Sequence, residues 1–149
     1  MGTQATRLGR VSLSGQVYHV TAVTADRQPH FAPFEVASAC AKTFSVSAKA
    51  EGAQLLAWVL MPDHVHWLIQ LGENANLAAC INRLKGSSTR SIRTLFGNER
   101  VVWQRGYYDH ALRKDETVEA VARYIVANPL RAGLVTSVRD YPFWDAVWI

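Results

Sequence analysis

The chain has 149 residues, of which 49% are hydrophobic and 19% are charged, and its formal net charge is +4. This balance is typical of one compact domain and excludes an intrinsically disordered chain. The sequence lacks the ~18 consecutive apolar residues of a membrane span and an apolar leader, and Cys40 and Cys80 are too few for a disulfide framework. We therefore expect one cytoplasmic domain over residues 1–149, with residues 1–14 flexible and both thiols reduced and buried.

The first half of the chain predicts a strand, a helix and a β-hairpin. The run Val17–Val23 is rich in β-branched residues and predicts a strand, whereas Pro33–Ala50 has the alanine content and apolar spacing of a helix. Gln54–Leu60 and His64–Leu71 are apolar runs typical of strands. Only the segment Met61–Asp63 separates them, and so short a connection forces an antiparallel hairpin.

The second half predicts a long helix, a strand and a last helix. From Ala75 to Phe96, a buried stripe is expected at intervals of three and four, formed by Leu77, Ile81, Leu84, Ser88, Ile92 and Leu95. The opposite helix face carries Arg83, Arg90 and Arg93. Val101–Arg113 predicts a strand that is broken by Gly106. The last helix should begin at Asp115 as N-cap and end at Asn128, because Pro129 disfavours helical geometry before it. This β-α-β-β-α-β-α order predicts the α+β class, an antiparallel β-sheet with helices packed on it.

His64 and His66 lie on the second strand of the predicted hairpin. Side chains at positions i and i+2 project from the same face of a sheet, so both imidazoles converge while Val65 points to the other face. This geometry suits two ligands of one metal ion, held rigidly by the tight turn before His64. The alternative is that two histidines merely occupy a half-polar sheet face.

Tyr124 and Asn128 lie one helical turn apart on the last helix. They belong to a row beside its buried stripe, so we expect them to meet where the helix touches the sheet. A phenol can act as a nucleophile, and an amide oxygen can bind a metal. The alternative is a tyrosine at the edge of the core and an asparagine that caps the helix. On residue type alone, Tyr107 and Tyr108 compete with Tyr124 for the role of nucleophile.

Three segments of the chain together form a longer pattern: WVLMPDHVHWLI, VWQRGYYDHALR and YIVANPLRAGLV. In this order and spacing they resemble the REP-associated tyrosine transposases, a branch of the single-tyrosine HUH transposases of the insertion-sequence-200-like type. The resemblance implies an α+β fold of the ferredoxin-like (RRM-like) HUH endonuclease type. It also implies that His64 and His66 bind the metal, that Tyr124, before the ANP sequence, is the catalytic tyrosine, and that Asn128 is a further metal ligand.

The resemblance implies a DNA transposase that cuts and rejoins single-stranded DNA near REP-type hairpins. Attack by Tyr124 on a phosphate would give a 5′-phosphotyrosine and a free 3′-hydroxyl, and the reverse reaction would join strands without ATP. The metal of the family is Mg²⁺ or Mn²⁺, although two imidazoles by themselves would favour zinc. The expected partner is single-stranded DNA with hairpin ends and not a membrane. The expected protein is nucleoid-associated, as a monomer or as a homodimer that exchanges the tyrosine helix.

Further basic residues are candidates for DNA contact. Arg83, Arg90 and Arg93 could bind phosphates along one helix face, or could simply face solvent. Arg131 follows the last helix and could bind a backbone phosphate or complement the helix dipole. His110 could help to activate the nucleophile or bind a phosphate, or it could be a structural histidine of a strand.

Two other functions remain open from the sequence. The chain could be a domesticated relative that binds REP-type hairpins without cutting them, or a zinc hydrolase built on His64 and His66. The presence of Tyr124 and Asn128 together with the two histidines argues against the first alternative. The second lacks an evident third His or Asp ligand after the pair and leaves Tyr124 without a role.

Overall fold

The structure, a computed structural model, describes residues 15–97 and 101–148, and the expectation for residues 1–14 lies outside these ranges. Within them, one antiparallel sheet contains β1 (Val17–Val23), β2 (Ala53–Met61), β3 (His64–Leu71), β4 (Tyr108–Ala111) and β5 (Trp144–Ala146). The strand order is β4-β1-β3-β2-β5, and its first four members form the ferredoxin-like arrangement. The predicted α+β class and the antiparallel hairpin of β2 and β3 are therefore confirmed.

The helices pack on both faces of this sheet. They are α1 (Phe34–Ala41), α2 (Phe44–Ala50), α3 (Leu77–Phe96), α4 (Val118–Val126) and α5 (Asn128–Arg131). Helices α1 and α2 both contact α3, and α2 also contacts β2, whereas α4 contacts β2 and β5.

Within residues 15–97 and 101–148, each helix is too short or too polar to span a membrane. Cys40 and Cys80 are free and buried, as expected.

The alternation of β3 divides its side chains between two cores. Val65 and Trp67 belong to the larger core, together with side chains of α1, α2 and α3. Leu68 belongs to the smaller core, where it joins Ala122 and other apolar side chains of α4. His64 and His66 have the same parity as Leu68, so they lie on the sheet face that carries α4.

The helix predicted over Pro33–Ala50 is in fact two helices, α1 and α2. The hydroxyl of Thr43, between them, donates a hydrogen bond of 2.8 Å to the carbonyl of Cys40. Such a side-chain bond to the preceding turn competes with continuation of the helix. The break lets Phe44 become fully buried, with its ring edge-on to Trp67 and the two ring centroids 5.5 Å apart.

The last helix also differs from its predicted bounds. It begins at Val118 with Thr117 as N-cap, since the Thr117 hydroxyl accepts a hydrogen bond of 3.3 Å from a backbone N–H of the first turn. The predicted N-cap, Asp115, lies before it. At the other end, Asn128 does not end α4 but begins α5. Pro129 is tolerated there because its missing N–H is not needed in the first turn of a helix.

Three differences concern the remaining elements. Leu95 is 60% exposed instead of buried, because it borders an open groove between α1 and α3. The strand predicted over Val101–Arg113 is reduced to β4 and one isolated bridge between Trp103 and Thr24, while the predicted break at Gly106 is present, with a φ of +82°. Strand β5 was not predicted, because its three residues acquire strand geometry only by pairing with the edge of β2.

Candidate active site

The two histidines of β3 form the centre of the candidate site. The ring centroids of His64 and His66 are 5.0 Å apart, and the ring planes are nearly perpendicular, at 87°. Both side chains are half-buried on the sheet face that carries α4. Their convergence follows from the two-residue spacing on a strand that begins immediately after the tight β2–β3 turn.

Asp63, in the hairpin turn, holds the ring of His64. His64 Nδ1 lies 2.8 Å from Asp63 Oδ1, and Arg27 Nε lies 3.2 Å from Asp63 Oδ2. Burial opposes ionisation of the Asp63 carboxyl, but the hydrogen bond with His64 and the charge of Arg27 outweigh it, so the pKa of Asp63 is lowered. The carboxylate is therefore available at neutral pH as an acceptor for His64.

Two side chains of β1 hold the ring of His66. Thr21 is paired with His66 in the sheet, and its hydroxyl oxygen lies 2.9 Å from His66 Nδ1. His19 Nε2 lies 3.0 Å from the same nitrogen. The outer ring nitrogen of each β3 histidine, Nε2, is thereby turned away from these partners.

The buried position of His66 determines its charge. Burial is the main cause that lowers the pKa of His66 to about 3, and a positive charge on His19, on His64 or on Arg131 acts in the same direction. Burial also lowers the pKa of His19, with His110 adding to the effect and Glu116 opposing it. Both imidazoles are therefore neutral at pH 7, and the neutral imidazole is the form that binds metal ions.

Acidification should destabilise the metal-free protein between about pH 6.5 and about pH 5. An unfolded histidine binds a proton near pH 6.5, whereas folded His66 binds one only near pH 3. The unfolded chain thus holds more protons in this window, so the free energy of unfolding falls as the pH falls. For His66 alone the loss is about 2 kcal/mol at about pH 5, from about 1.4 kcal/mol per pKa unit.

Urea unfolding with EDTA at both pH values measures this effect. The variant His66→Gln, which cannot gain a proton, should lose less stability on acidification than the wild-type protein. The same loss in both proteins would contradict the assignment to His66.

Tyr124 and Arg131 connect the last helices with the histidines. Tyr124 is 59% exposed on α4, and the Arg131 guanidinium lies 3.8 Å from the centroid of its ring, a cation–π contact. Arg131 is also close enough to His66 for its charge to lower the pKa of that histidine. Asn128 lies half-buried at the start of α5. Among the described residues, no hydrogen bond joins the Asn128 or Tyr124 side chain to His64 or His66.

Accessibility separates the tyrosines of the chain. Tyr18 and Tyr107 are buried, and the hydroxyl of Tyr141 donates to a backbone carbonyl of β2, with a pKa that burial raises to about 12. Tyr108 is half-buried and stands opposite Thr21, on the same sheet face as the β3 histidines. Tyr108 is therefore the structural competitor of the exposed Tyr124.

The other predicted residues lie farther out. His110, exposed on the edge strand β4, has its Nε2 2.9 Å from Glu116 Oε1. Arg83, Arg90 and Arg93 lie on α3, which packs against the sheet face opposite to the histidines. Arg83 forms an ion pair with Glu51. The structure thus does not bring these three arginines together with His64, His66 and Tyr124.

Sequence reasoning did not identify His19, Thr21, Asp63 and Arg27 as residues of the site. Thr21 and His19 share one face of β1, but only the register of β1 against β3 places them at His66. The sequence of either strand by itself does not predict that register. Asp63 could have been noticed as the acidic neighbour of a candidate ligand histidine, whereas the turn that delivers Arg27 has no sequence signal that we recognise.

The histidine pair fits a divalent metal ion. A ligand imidazole binds through one nitrogen and donates the N–H of the other to a protein oxygen. His64 and His66 each engage Nδ1, and among the described residues neither Nε2 atom has a hydrogen-bond partner. Residues 15–97 and 101–148 contain no group of three His, Cys, Asp or Glu side chains that could hold a metal. Further ligands would therefore be of another kind, such as an amide or a phosphate oxygen.

Comparison with known proteins gives matches to one family of transposases. The sequence profile of the family described as "Transposase IS200 like" matches residues 12–128. A Haemophilus influenzae protein assigned to the REP-associated tyrosine transposases is 35% identical over 100 residues, which are 60% of this chain and 57% of the relative. The REP-associated tyrosine transposase of Escherichia coli is 27% identical over 92 residues, which are 60% of this chain and 52% of the relative. The chain thus matches just over half the length of both curated relatives.

The fold is shared with a solved structure of a REP-associated tyrosine transposase bound to a REP hairpin. The TM-score is 0.69 at 20% sequence identity, and the likeness covers 91% of this chain and 79% of that one. At this identity, the likeness establishes the common fold and not the chemistry of individual residues.

Proposed function

The chain belongs to the family of IS200-like transposases, and from that premise we propose that it cleaves and rejoins single-stranded DNA beside REP-type hairpins, with Tyr124 as the nucleophile. The observation that carries this proposal is the position of Arg131. Its guanidinium covers the ring of the exposed Tyr124, and its charge acts on His66. We infer from these two interactions of Arg131 that the tyrosine of α4 and the histidines of β3 face one common space, which would admit a DNA phosphate.

His64 and His66 would hold a divalent metal through their Nε2 atoms, with Asn128 as a further oxygen ligand. When bound, Mg²⁺ or Mn²⁺ would polarise the scissile phosphate and orient it for in-line attack. The neutral state of His66 supports this role, because burial disfavours the charged ring and a neutral imidazole has one ring nitrogen without a proton. Oxygen ligands from Asn128 and from the DNA would complete a set that suits these hard cations.

Tyr124 would carry the transfer step. Its hydroxyl loses a proton and its oxygen attacks the phosphorus, while the bond from phosphorus to the 3′-oxygen of the preceding nucleotide breaks. That 3′-oxygen takes up a proton and leaves as a hydroxyl, and the 5′-phosphate remains on the tyrosine. Attack by a 3′-hydroxyl on this phosphotyrosine reverses the step and joins strands.

Labelled DNA tests this proposal directly. Single-stranded DNA with a REP-type hairpin, incubated with the protein and Mn²⁺, should give an adduct that survives denaturing gel electrophoresis. A label at the 3′ end of the DNA should migrate with the protein, and a label at the 5′ end should appear in a released fragment. EDTA and a fully duplex DNA serve as controls. Hairpin binding without any adduct would favour the alternative of a binding protein that does not cut.

Arg131 is proposed to contact a DNA phosphate at this site. Its neutralisation in Arg131→Gln should reduce the slope of log affinity against log salt by about one unit, as expected for the loss of one phosphate contact. Affinity measurements for hairpin DNA at several salt concentrations give this slope. Equal slopes for Arg131→Gln and the wild-type protein would contradict the contact.

The salt dependence of hairpin affinity also tests the proposed DNA contacts of α3. Glutamine variants of Arg83, Arg90 and Arg93 would each lower the slope if α3 forms a second DNA-binding surface on the other sheet face. Unchanged slopes in all three variants would mean that these arginines face solvent and do not contact DNA. Arg83 already forms an ion pair with Glu51. The same titrations on His110→Gln would test a phosphate contact by that histidine. The protein is expected to act at the nucleoid, as a monomer or as a homodimer.

A further inference from the structure

We infer that Asp63, held by Arg27, is a positioning residue that fixes His64 in the ring tautomer needed for metal binding. This inference rests on the proposed metal-binding role of His64. It concerns a carboxylate that does not touch the reacting phosphate and acts only through the neighbouring imidazole.

The two oxygens of Asp63 have different partners. Oδ1 accepts a hydrogen bond from His64 Nδ1 at 2.8 Å, and Oδ2 accepts one from Arg27 Nε at 3.2 Å. With both oxygens engaged, the carboxylate cannot turn away from the histidine without breaking an ion pair. The side chain of His64 is only 17% exposed, so water competes little for its Nδ1.

The turn after β1 places Arg27 beside Asp63. Asp26 and Arg27 both have left-handed backbone conformations, with φ of +55° and +53°, which aspartate tolerates but which are uncommon for arginine. Thr24 is fully buried before this turn, and its backbone N–H donates to the carbonyl of Asp63 at 3.0 Å. Its hydroxyl donates to the carbonyl of Gln28 at 2.7 Å, which closes the turn. The unusual backbone conformation thus occurs at Arg27, the residue that pairs with Asp63.

The chemical consequence concerns the proton of the imidazole. A carboxylate can only accept, so the neutral ring of His64 must carry its proton on Nδ1 and leave the lone pair of Nε2 free. Carboxylate partners of this kind fix the tautomer and the ring orientation of metal-binding histidines. The carboxylate therefore orients the ring so that Nε2 points away from Asp63.

A merely structural ion pair would not need this arrangement. The Arg27 side chain is 57% exposed, and ion pairs at such positions contribute little to protein stability. The pair lies instead on the hairpin turn directly before His64, a proposed metal ligand. Nδ1 of His66 lies 2.9 Å from the Thr21 hydroxyl oxygen, so in both rings Nδ1 faces a protein oxygen and Nε2 points away from it.

The tautomer of His64 can be observed without metal by ¹⁵N NMR of the full chain. The wild-type protein should show His64 protonated at Nδ1, and Asp63→Ala should shift the population toward protonation at Nε2. In calorimetric titration with MnCl₂ alone, Asp63→Ala should bind Mn²⁺ about 10–100-fold more weakly, the usual effect of losing an outer partner of a ligand. Asp63→Asn keeps an acceptor oxygen but loses the charge. Its Mn²⁺ affinity should therefore lie between those of the wild-type protein and Asp63→Ala.

Asp26→Asn is the matched control, because it removes a negative charge one residue from Arg27 and asparagine tolerates a positive φ. It should leave the tautomer and the Mn²⁺ affinity unchanged. Unchanged values in Asp63→Ala, with thermal unfolding showing a folded protein, would overturn the positioning role. A loss of Mn²⁺ affinity without a tautomer change would also overturn it. If His64→Ala binds Mn²⁺ as the wild-type protein does, the proposed metal site itself fails, which is a separate result.

Discussion

Replacement of Tyr124 by phenylalanine should reduce the covalent protein–DNA adduct to background. The substitution retains the ring that Arg131 covers and removes only the attacking oxygen. The free energy of unfolding should change by less than the ~0.5–1.5 kcal/mol of a typical hydrogen bond, because this side chain is 59% exposed. Adduct yield is measured on denaturing gels with a 3′-labelled hairpin DNA, beside a urea unfolding curve for the same protein.

Tyr108→Phe is the matched control for this experiment. Tyr108 lies on the same sheet face as the histidines but is half-buried on β4. We expect this variant, and also Tyr107→Phe, to form the adduct at wild-type levels. Adduct formation by Tyr124→Phe, or its loss only in Tyr108→Phe, would show that the nucleophile is on the sheet and not on α4.

Replacement of either β3 histidine by alanine should abolish cleavage while hairpin binding in EDTA persists. Each change removes a proposed metal ligand, so the loss of Mn²⁺ affinity should exceed the ~10–100-fold typical of losing an outer partner. Cleavage of labelled hairpin DNA, Mn²⁺ titration and a binding assay without metal separate the two effects. His66→Ala also removes a side chain that contacts Thr21 and His19, so circular dichroism must show that the variant is folded.

His30→Gln provides the control for this second prediction. His30 borders a groove near the start of α1 and the end of α3, on the other side of the sheet. This variant should cut at the wild-type rate. Wild-type cleavage by His66→Ala would mean that the metal, if one is needed, is held elsewhere.

Mixing the inactive variants tests whether one chain contains a complete site. A site formed by α4 and β3 of the same chain gives no activity when His66→Ala and Tyr124→Phe are combined. Recovery of cleavage in the mixture would mean that two copies exchange the tyrosine helix. Either result is compatible with Tyr124 as the nucleophile, because it concerns only which copy provides it.

The sequence predicts the elements that local pattern controls. The bounds of β1 and β3 follow from β-branched and apolar runs, and the convergence of His64 and His66 follows from strand geometry alone. The predicted end of the last helix at Asn128 is wrong. Pro129 does not terminate the helical segment but lies in the first turn of α5. Strand β5 was missed because its geometry depends on pairing with β2.

The partners of the histidines depend on register and on turns, which no single segment encodes. Thr21 and His19 reach His66 only because β1 pairs with β3 in one particular register. Asp63 reaches both His64 and Arg27 because the turn after β1 folds over the hairpin. The preference for Tyr124 over Tyr108 rests on the helical row that Tyr124 shares with Asn128 and on the resemblance to a family, whereas the position of Tyr108 on the face of the histidines emerges only from the register of β1 with β3 and β4.

Peptide mapping of the trapped adduct tests the central claim most directly. Trypsin cleaves after Arg123 and Arg131, so Tyr124 lies in the peptide YIVANPLR, whereas Tyr107 and Tyr108 lie together in GYYDHALR. After nuclease trimming, tandem mass spectrometry should find the nucleotide phosphate on Tyr124 in the first peptide. A nucleotide on either tyrosine of the second peptide would contradict the proposed nucleophile and the role given to α4.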